Sequence, residues 1–326
     1  MAAAGGRLAA GGQPERRGGV VNVARARGGR HARQGRRART GAALLLVLWL
    51  ITLLTALVGG FALASRIEAL QGRVLVSGLV AGNAARAGIE YAMTRVDQTD
   101  PRLQWRPDGQ PYTWRYGGAE VEVRIIDENG KVDLNQADMN LLTELLRVLG
   151  SDQVEAARLA AAILDWRDTD PLTQAAGGAE DADYAAAGRA YGAKDAQFES
   201  IAELEQVLGF TPEIYARIEP HVTVFSGMQR PDSAFASAAV LDAMGLDGEL
   251  LVDQRRQVDP VTGQPLPGAG GQDLVGSRSG TYSIDSRARL ADGRETVLRA
   301  VVRSGGSAVP GMAYTVLRWE EGVTPR

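Results

Sequence analysis

The chain has 326 residues and a formal net charge of −3, but the charge is distributed very unevenly. Residues 1–41 contain ten Arg and one acidic residue and carry +9, whereas the other 285 residues contain 26 cations and 38 anions and carry −12. Because the chain has no cysteine, disulfide scaffolds, thiolate metal sites and cysteine nucleophiles are excluded. With only two histidines, most metal-hydrolase and Ser-His-Asp arrangements are excluded as well.

An apolar segment near the N terminus predicts a membrane anchor. The 26 residues between Arg39 and Arg66 carry no charge, and residues 42–64 are apolar apart from two Thr. At 1.5 Å per residue, a helix over 42–64 is about 35 Å long, enough to cross a hydrocarbon core of about 30 Å. By the positive-inside rule, the arginines upstream predict a cytoplasmic N terminus and a body on the other side of the membrane.

The junction between the basic head and the apolar segment resembles the type IV prepilin class. The head ends at Gly41, and the apolar segment that starts at Ala42 continues into an amphipathic stretch. The resemblance implies that a membrane peptidase cuts between Gly41 and Ala42. Most members of the class carry Glu as the fifth mature residue, where this chain has Leu46. A carboxylate inside a bilayer is costly unless it is paired, and in this class the Glu is understood to neutralise the amino terminus of the neighbouring subunit. A subunit with Leu46 has no such partner to satisfy and is suited to the first position in a filament.

Alternating residues predict strands on both sides of a long helical segment. The predicted strands are residues 112–116, 121–126, 282–289, 296–303 and 314–319. Between them, residues 133–258 are rich in Ala, Leu and Glu and follow a helical period. Gly150 is predicted to end one helix, and Thr211 followed by Pro212 is predicted to begin another.

Helix–Gly–helix units in this segment raise the alternative of a helix-hairpin-helix DNA-binding module. The units start near residues 141, 198 and 237, and a glycine turn exposes backbone amides to phosphate. However, the body carries −12 and lacks the Lys/Arg stripe that phosphate binding requires. We therefore expect no nucleic-acid binding and keep a membrane-anchored DNA-uptake protein as the alternative.

Six carboxylates fall within nineteen residues, with Arg167 as the only cation among them. They are Asp165, Asp168, Asp170, Glu180, Asp181 and Asp183. Calcium takes six to eight oxygen ligands in irregular geometry and would relieve the repulsion between them. From the residues alone, a calcium site and a solvated acidic surface loop both remain open. A catalytic carboxylate pair needs two positioned groups with separated pKa values, which clustered Asp residues on a loop rarely provide.

Several stretches together resemble the protein K family of type II secretion systems, whose members are minor pseudopilins. The most specific stretches are residues 37–46, 127–137, 164–170, 178–184, 198–204 and 220–225. The resemblance covers about residues 36–322. It implies an α+β, type IV pilin-like fold, with a long N-terminal helix, an antiparallel sheet and a large all-α domain inserted between strands.

The resemblance also implies a domain organisation. It comprises a basic leader (1–41) removed by prepilin peptidase, the transmembrane half (42–64) and amphipathic half (65–100) of the N-terminal helix, a first part of the sheet (101–127), an inserted helical domain (128–258) with an acidic loop (165–184), a Gly/Pro-rich loop (259–280), and a second part of the sheet (281–322).

The function implied is that of a structural subunit and not an enzyme. It caps the tip of a periplasmic pseudopilus and helps to start its assembly during export of folded proteins across the outer membrane. The implied location is the bacterial inner membrane, with one span and a periplasmic body. The implied partners are the minor pseudopilins I and J, then H and the major pseudopilin, together with prepilin peptidase, and secreted substrates are a further expected contact. The new N terminus at Ala42 is expected to be methylated.

The resemblance further favours calcium over a solvated acidic loop, because K-type pseudopilins bind calcium in the corresponding loop. One or two ions are expected. The implied ligands are Asp168, Asp170, Glu180, Asp181 and Asp183, with Asp165 contributing from the preceding helix.

Overall fold

The computed structural model describes residues 39–257, 259, 261–262, 278–305 and 314–322. Of Arg39 and Thr40, only the backbone is described. Most of the predicted leader and most of the predicted Gly/Pro-rich loop therefore lie outside the described residues, as does His31. The chain divides into two compact units, Met1–Ile67 and Glu68–Arg326.

One long helix, α1 (Arg39–Val96), comprises 58 residues. Its part in the first unit contains the apolar segment, whose side chains are exposed from Gly41 onward. Among the described residues, α1 is the one helix long and apolar enough to cross a membrane, with a mean hydropathy of 2.6 in its most apolar window. Its length and composition agree with the predicted membrane anchor.

Seven strands follow α1 in the described part of the chain. They are β1 (Asp108–Tyr116), β2 (Ala119–Asp127), β3 (Val132–Asp133), β4 (Val222–Thr223), β5 (Thr281–Leu290), β6 (Glu295–Ser304) and β7 (Tyr314–Glu321). Five of them form an antiparallel sheet in the order β1-β2-β5-β6-β7, and β3 and β4 form a separate parallel pair. In the large sheet, β2 pairs with β5 from Ala119 opposite Leu290 to Asp127 opposite Tyr282. The predicted strands on the two sides of the helical segment thus belong to one sheet.

Within the second unit, α1 lies very close to one face of this sheet. Its buried residues there include Ala81, Ala85 and Ala92, whose small side chains allow the approach. A Cβ added to Gly88 would lie 2.1 Å from the Ser286 Oγ, so no larger residue fits without a shift. The core on this face includes the fully buried side chains Ile89, Val121, Val123, Ile125 and Ile284.

Between β2 and β5, the described residues form a mainly helical insert with its own hydrophobic core. Its helices are α2 (Met139–Val148), α3 (Gln153–Arg167), α4 (Asp181–Ala186), α5 (Pro212–Ile218), α6 (Ala238–Ala243) and α7 (Gly248–Arg256). The core is built around Leu142, Leu145, Leu159 and Ile163, all fully buried. The insert confirms the predicted helical segment between strands, to which the short parallel pair of β3 and β4 is an addition.

The helix ends in the insert agree in part with the sequence. Gly150 has a φ of 99° after α2, and the Thr211 side chain accepts a hydrogen bond from the backbone N–H of Ile214 at the start of α5, as predicted. In contrast, the first helix of the unit expected from residue 198 is only a 3-10 turn, Ile201–Glu205, whereas its second helix is present as α5. There Glu203 accepts the backbone N–H groups of residues 199 and 200, which fixes a tight turn at its start.

Candidate functional site

The acidic loop connects the end of α3 to the start of α4. Asp165 lies in the last turn of α3, and Asp168 is the residue that ends the helix, with an extended backbone at φ −83° and ψ 173°. Asp170 follows in the loop, and Glu180 is the residue immediately before α4. The two helix ends therefore bring carboxylates that are up to 15 residues apart in the sequence into one region.

Asp165 is fully buried beneath the loop. Its two carboxylate oxygens accept the Gln174 backbone N–H at 3.2 and 3.3 Å. The loop backbone also approaches at Gly178, where an added Cβ would lie 2.0 Å from the Asp165 Oδ2. Burial raises the pKa of Asp165 to about 6, and the charges of Asp168 and Asp170 contribute to the increase.

Glu180 is the most perturbed carboxyl of the loop. It is 6% exposed, and its Oε1 has no hydrogen-bond partner among the described residues. Burial raises the pKa of Glu180 to about 7, with further contributions from the charges of Asp165, Asp168, Asp195 and Asp170. A buried carboxylate oxygen without a partner is costly, which is why the protonated form is favoured.

Asp168 resembles Glu180 in having an unpartnered oxygen and a raised pKa. Its Oδ1 is buried without a hydrogen-bond partner among the described residues, and burial followed by the charge of Asp170 raises its pKa. Arg167, the cation next to it in sequence, is directed away. Its guanidinium donates to the backbone carbonyl oxygens of Leu134 and Ala137, the latter at 2.8 Å.

Asp181 and Asp183 have local structural contacts in the first turn of α4. The Asp183 Oδ2 accepts the Glu180 backbone N–H at 3.0 Å, which helps to begin the helix. Asp181 lies against Gly192, where an added Cβ would be 1.7 Å from the Asp181 Oδ1. The charges of Asp165, Asp168 and Asp170 all act on Glu180, so these four acids lie near one another, whereas Asp181 and Asp183 face other groups. Of the four, Asp170 is exposed, and its Oδ1 accepts the Leu172 backbone N–H at 2.9 Å. Helix α4 itself was not predicted.

Asp195 is a neighbour of the site that the sequence did not suggest. It has a φ of 54° and is the only non-glycine residue with a positive φ among the described residues. Its charge contributes to the raised pKa of Glu180, which places it near that carboxyl. Asp tolerates the left-handed conformation better than most residues, but nothing in its spacing from the other acids indicated that it lies near Glu180.

The fit of this region to a hard cation rests on its unsatisfied oxygens. Among the described residues, no group of three or more His, Cys, Asp or Glu side chains is already arranged to hold a metal ion. Nevertheless, two buried carboxylate oxygens lack partners, three carboxyls have raised pKa values, and the adjacent cation is engaged elsewhere. A cation that prefers oxygen ligands and tolerates irregular geometry suits such a set.

The second histidine and the processing residues have no part in this region. Burial lowers the pKa of His221 to about 4, and its Nδ1 lies 2.9 Å from the Ser237 Oγ. Gly41 and Ala42 lie in the first turns of α1 and are exposed, as is Leu46. The cut at Gly41 stays a prediction.

Comparisons with known proteins point to one family. A family model described as "Type II secretion system (T2SS), protein K" matches residues 122–227. Type II secretion system protein K of Klebsiella pneumoniae is 27% identical over 251 residues, which are 67% of this chain and 73% of that protein. The protein K of Pseudomonas aeruginosa is 26% identical over 234 residues, 64% of this chain and 69% of that protein.

A solved structure shares the fold. A chain in the crystal structure of the GspK-GspI-GspJ complex from the type 2 secretion system of enterotoxigenic Escherichia coli matches with a TM-score of 0.52 and 16% identity. The match covers 80% of this chain and 99% of that chain. It confirms the predicted α+β arrangement of a long N-terminal helix, an antiparallel sheet and additional helices.

Proposed function

The chain belongs to the protein K family of type II secretion systems, the minor pseudopilins, and we propose that it caps the tip of a periplasmic pseudopilus and helps to start its assembly. One observation carries the tip position. From Gly41 to Ile67, α1 contains no acidic residue, and the fifth residue after the expected cut is Leu46. A carboxylate in a bilayer needs a partner, so the subunit that has no neighbour above it is the one that can lack this carboxylate.

The proposed partners are the I- and J-type minor pseudopilins, followed by the H-type and major pseudopilins. Within the second unit of the chain, α1 exposes apolar side chains that can pack against the helices of neighbouring subunits. They are Leu70, Val74, Leu75, Val76 and Leu79, which are 54% to 69% exposed. Prepilin peptidase would process the chain at Gly41, and the arginine-rich head would place the body in the periplasm.

The proposed work is assembly and not catalysis. Secreted substrates would then meet the insert as cargo. None of the matches reported above concerns a DNA-uptake protein, and the body carries −12, which disfavours phosphate binding.

Calcium is the proposed ligand of the acidic loop, as one or two ions. The unpartnered oxygens and raised pKa values support Asp165, Asp168 and Glu180 as ligands. Asp170, whose charge acts on all three, completes the set, with Asp195 adjacent. Asp181 and Asp183 complete the carboxylates expected from the sequence. Bound calcium would neutralise the mutual repulsion and hold the end of α3, the loop and the start of α4 together.

The tip proposal is tested by mixing the full-length chain in detergent with the I- and J-type proteins of the same genome. Size-exclusion chromatography is expected to show a three-part complex. Independent elution of all three proteins would count against the proposal. In cells, Leu46→Glu is expected to reduce secretion, because it places an unpaired carboxylate in the bilayer, while the control Leu46→Met keeps it.

The calcium proposal is tested by the thermal unfolding of the full-length chain in detergent. Adding calcium after EDTA treatment is expected to raise the Tm, and magnesium at the same concentration is expected to raise it less, because magnesium demands near-octahedral geometry. An identical Tm in EDTA and in calcium would rule the site out.

A further inference from the structure

We propose that Glu128 is a positioning residue that clamps the helical insert to the sheet in one orientation. Glu128 begins the 3-10 turn Glu128–Gly130, which connects β2 of the sheet to β3 of the insert. It is therefore located at the neck, the short connection (residues 127–133) through which the chain enters the insert. Its carboxylate contacts both structural parts.

The contacts of Glu128 use both of its oxygens. The Oε1 lies 2.7 Å from the Lys131 Nζ and accepts the Ser283 hydroxyl at 2.5 Å. The Oε2 accepts the Thr223 hydroxyl. Ser283 lies on β5 of the sheet, and Thr223 lies on β4 of the insert. One carboxylate thus bonds to the sheet, to the insert and to the connection between them.

The ion pair between Glu128 and Lys131 is buried, which bears on its role. Glu128 is fully buried and Lys131 is 6% exposed. A buried ion pair is weak evidence for stability, because the loss of hydration offsets much of the attraction, and its better-attested role is to select one arrangement over others. Both members of the pair lie in the neck, so the bonds that depend on the orientation are those of Glu128 with the Ser283 and Thr223 hydroxyls. An alternative orientation would leave a buried carboxylate oxygen without its hydroxyl donor.

Open volume remains between the insert and the sheet near the neck. Two cavities of about 160 Å³ and 240 Å³ border on Lys131 and Pro220. The first is lined by Arg299 and Arg318 of the sheet and by Ile201 of the insert. Open volume between the two parts leaves room for a change in their relative orientation, so specific bonds become the constraint. Those of Glu128 are buried, and the ion pair of Arg318 with Glu219 at 3.6 Å adds a partly exposed one.

Two further contacts between the insert and the rest of the chain also lie at the neck. The Asp127 Oδ2 accepts the Ser279 backbone N–H at 2.9 Å, which ties the start of the insert to its end. Gly130 lies against the Phe235 backbone, since an added Cβ would be 2.5 Å from the Phe235 carbonyl carbon. A rotation of the insert would therefore pivot about the residues that surround Glu128.

The orientation can be measured directly because the chain contains no cysteine. Val154→Cys on the insert and Arg115→Cys on the sheet replace exposed residues and can carry nitroxide labels. Pulsed electron paramagnetic resonance of the full-length chain in detergent then gives the distribution of distances between the labels. We expect a single narrow peak, which Thr223→Val or Ser283→Ala broadens or shifts, and which Thr223→Ser restores.

Two matched variants serve as controls. Thr143→Val removes a buried hydroxyl that bonds only to the Met139 carbonyl within α2, and Ser286→Ala removes a buried hydroxyl of β5 that has no partner among the described residues. Both are expected to keep the narrow peak. An unchanged distribution in Thr223→Val and Ser283→Ala overturns the proposal, and so does equal broadening in the controls.

A loss of folding in either test variant, with the controls folded, also overturns the proposal. The insert and the sheet have separate hydrophobic cores, so a residue that only orients them is not needed for either core to form. The measurement requires no partner subunit, and its result is independent of the tip position proposed above.

Discussion

Two groups of buried acidic side chains in this molecule meet the cost of burial in opposite ways. At the neck, both oxygens of Glu128 are bonded and Lys131 supplies the opposite charge. In the acidic loop, Asp168 and Glu180 each keep an oxygen without a partner among the described residues, and Arg167 donates elsewhere. The neck is neutralised by the chain itself, whereas the charges of the loop would be neutralised by the proposed calcium ion.

The comparison predicts which substitutions should act independently of calcium. Substitutions at the neck should lower the free energy of unfolding in EDTA and in calcium alike, because the neck is already neutralised in the folded chain. Substitutions of the loop carboxylates should raise the free energy of unfolding in EDTA. In calcium, they should lower it relative to the parent chain.

The largest expected effect comes from Lys131→Met. It leaves the Glu128 charge buried without its ion pair, which typically costs about 3–5 kcal/mol of unfolding free energy. Urea unfolding followed by tryptophan fluorescence measures the change. The matched control is Lys194→Met, since Lys194 pairs with Glu203 at 2.8 Å but is 23% exposed, and such a pair contributes about 1 kcal/mol or less. Equal losses in the two variants would contradict the special role of the neck.

The second prediction concerns the sign of the response in the acidic loop. In EDTA, the double variant Asp168→Asn and Glu180→Gln is expected to be more stable than the parent chain, because it removes repulsion. With calcium 100-fold above its dissociation constant, the parent gains about 2.7 kcal/mol and the variant gains little. Calorimetry in the two solutions measures both changes. Glu199→Gln with Asp253→Asn, two exposed acids, is the control that should gain as the parent does. A variant that gains as much as its parent would refute the site.

Two glycines extend the comparison to the backbone. Gly130→Ala at the neck meets the Phe235 backbone at 2.5 Å, which cannot yield easily, so a loss of about 1–3 kcal/mol is expected with or without calcium. Gly178→Ala in the acidic loop meets the Asp165 side chain, and it is expected to reduce mainly the gain from calcium. Unfolding in EDTA and in calcium distinguishes the two. Identical calcium gains in both variants would argue against the expected difference.

The last prediction is a dependence of the free energy of unfolding on pH in EDTA. The pKa of Glu180 rises from 4.5 to about 7 in the folded chain, so the folded state retains a proton that the unfolded state releases. Stability from this group is present below pH 4.5 and is lost as the pH rises towards 7. Glu180→Gln should flatten this part of the profile. If the parent and the Glu180→Gln variant lose the same stability between pH 4.5 and 7, Glu180 is not the origin of the fall.

Much of the fold could be predicted because it depends on local patterns. Alternation predicted the strands on both sides of the insert, and Gly150 and Thr211 marked helix ends through conformations and caps that act within a few residues. The 3-10 turn at Ile201–Glu205 and helix α4 were missed, since both are short and depend on side-chain caps more than on period.

The candidate site was less accessible from sequence, for a physical reason. The six acids could be counted, but their burial, their unpartnered oxygens and the approach of Asp195 depend on how distant segments pack. Likewise, Glu128 and Lys131 look like ordinary charged residues in the sequence. Only the fold shows that they are buried together beside Ser283, about 150 residues later in the chain.

The Asp127–Ser279 hydrogen bond has a topological consequence. Because the two ends of the insert are held side by side, a short hairpin could join β2 directly to β5 and leave the strand order of the sheet unchanged. An insert between β2 and β5 can therefore become longer or shorter, or be exchanged between related subunits, without a change in the strand order. The long helix and the sheet can then stay unchanged while the sequence of the helical insert varies independently.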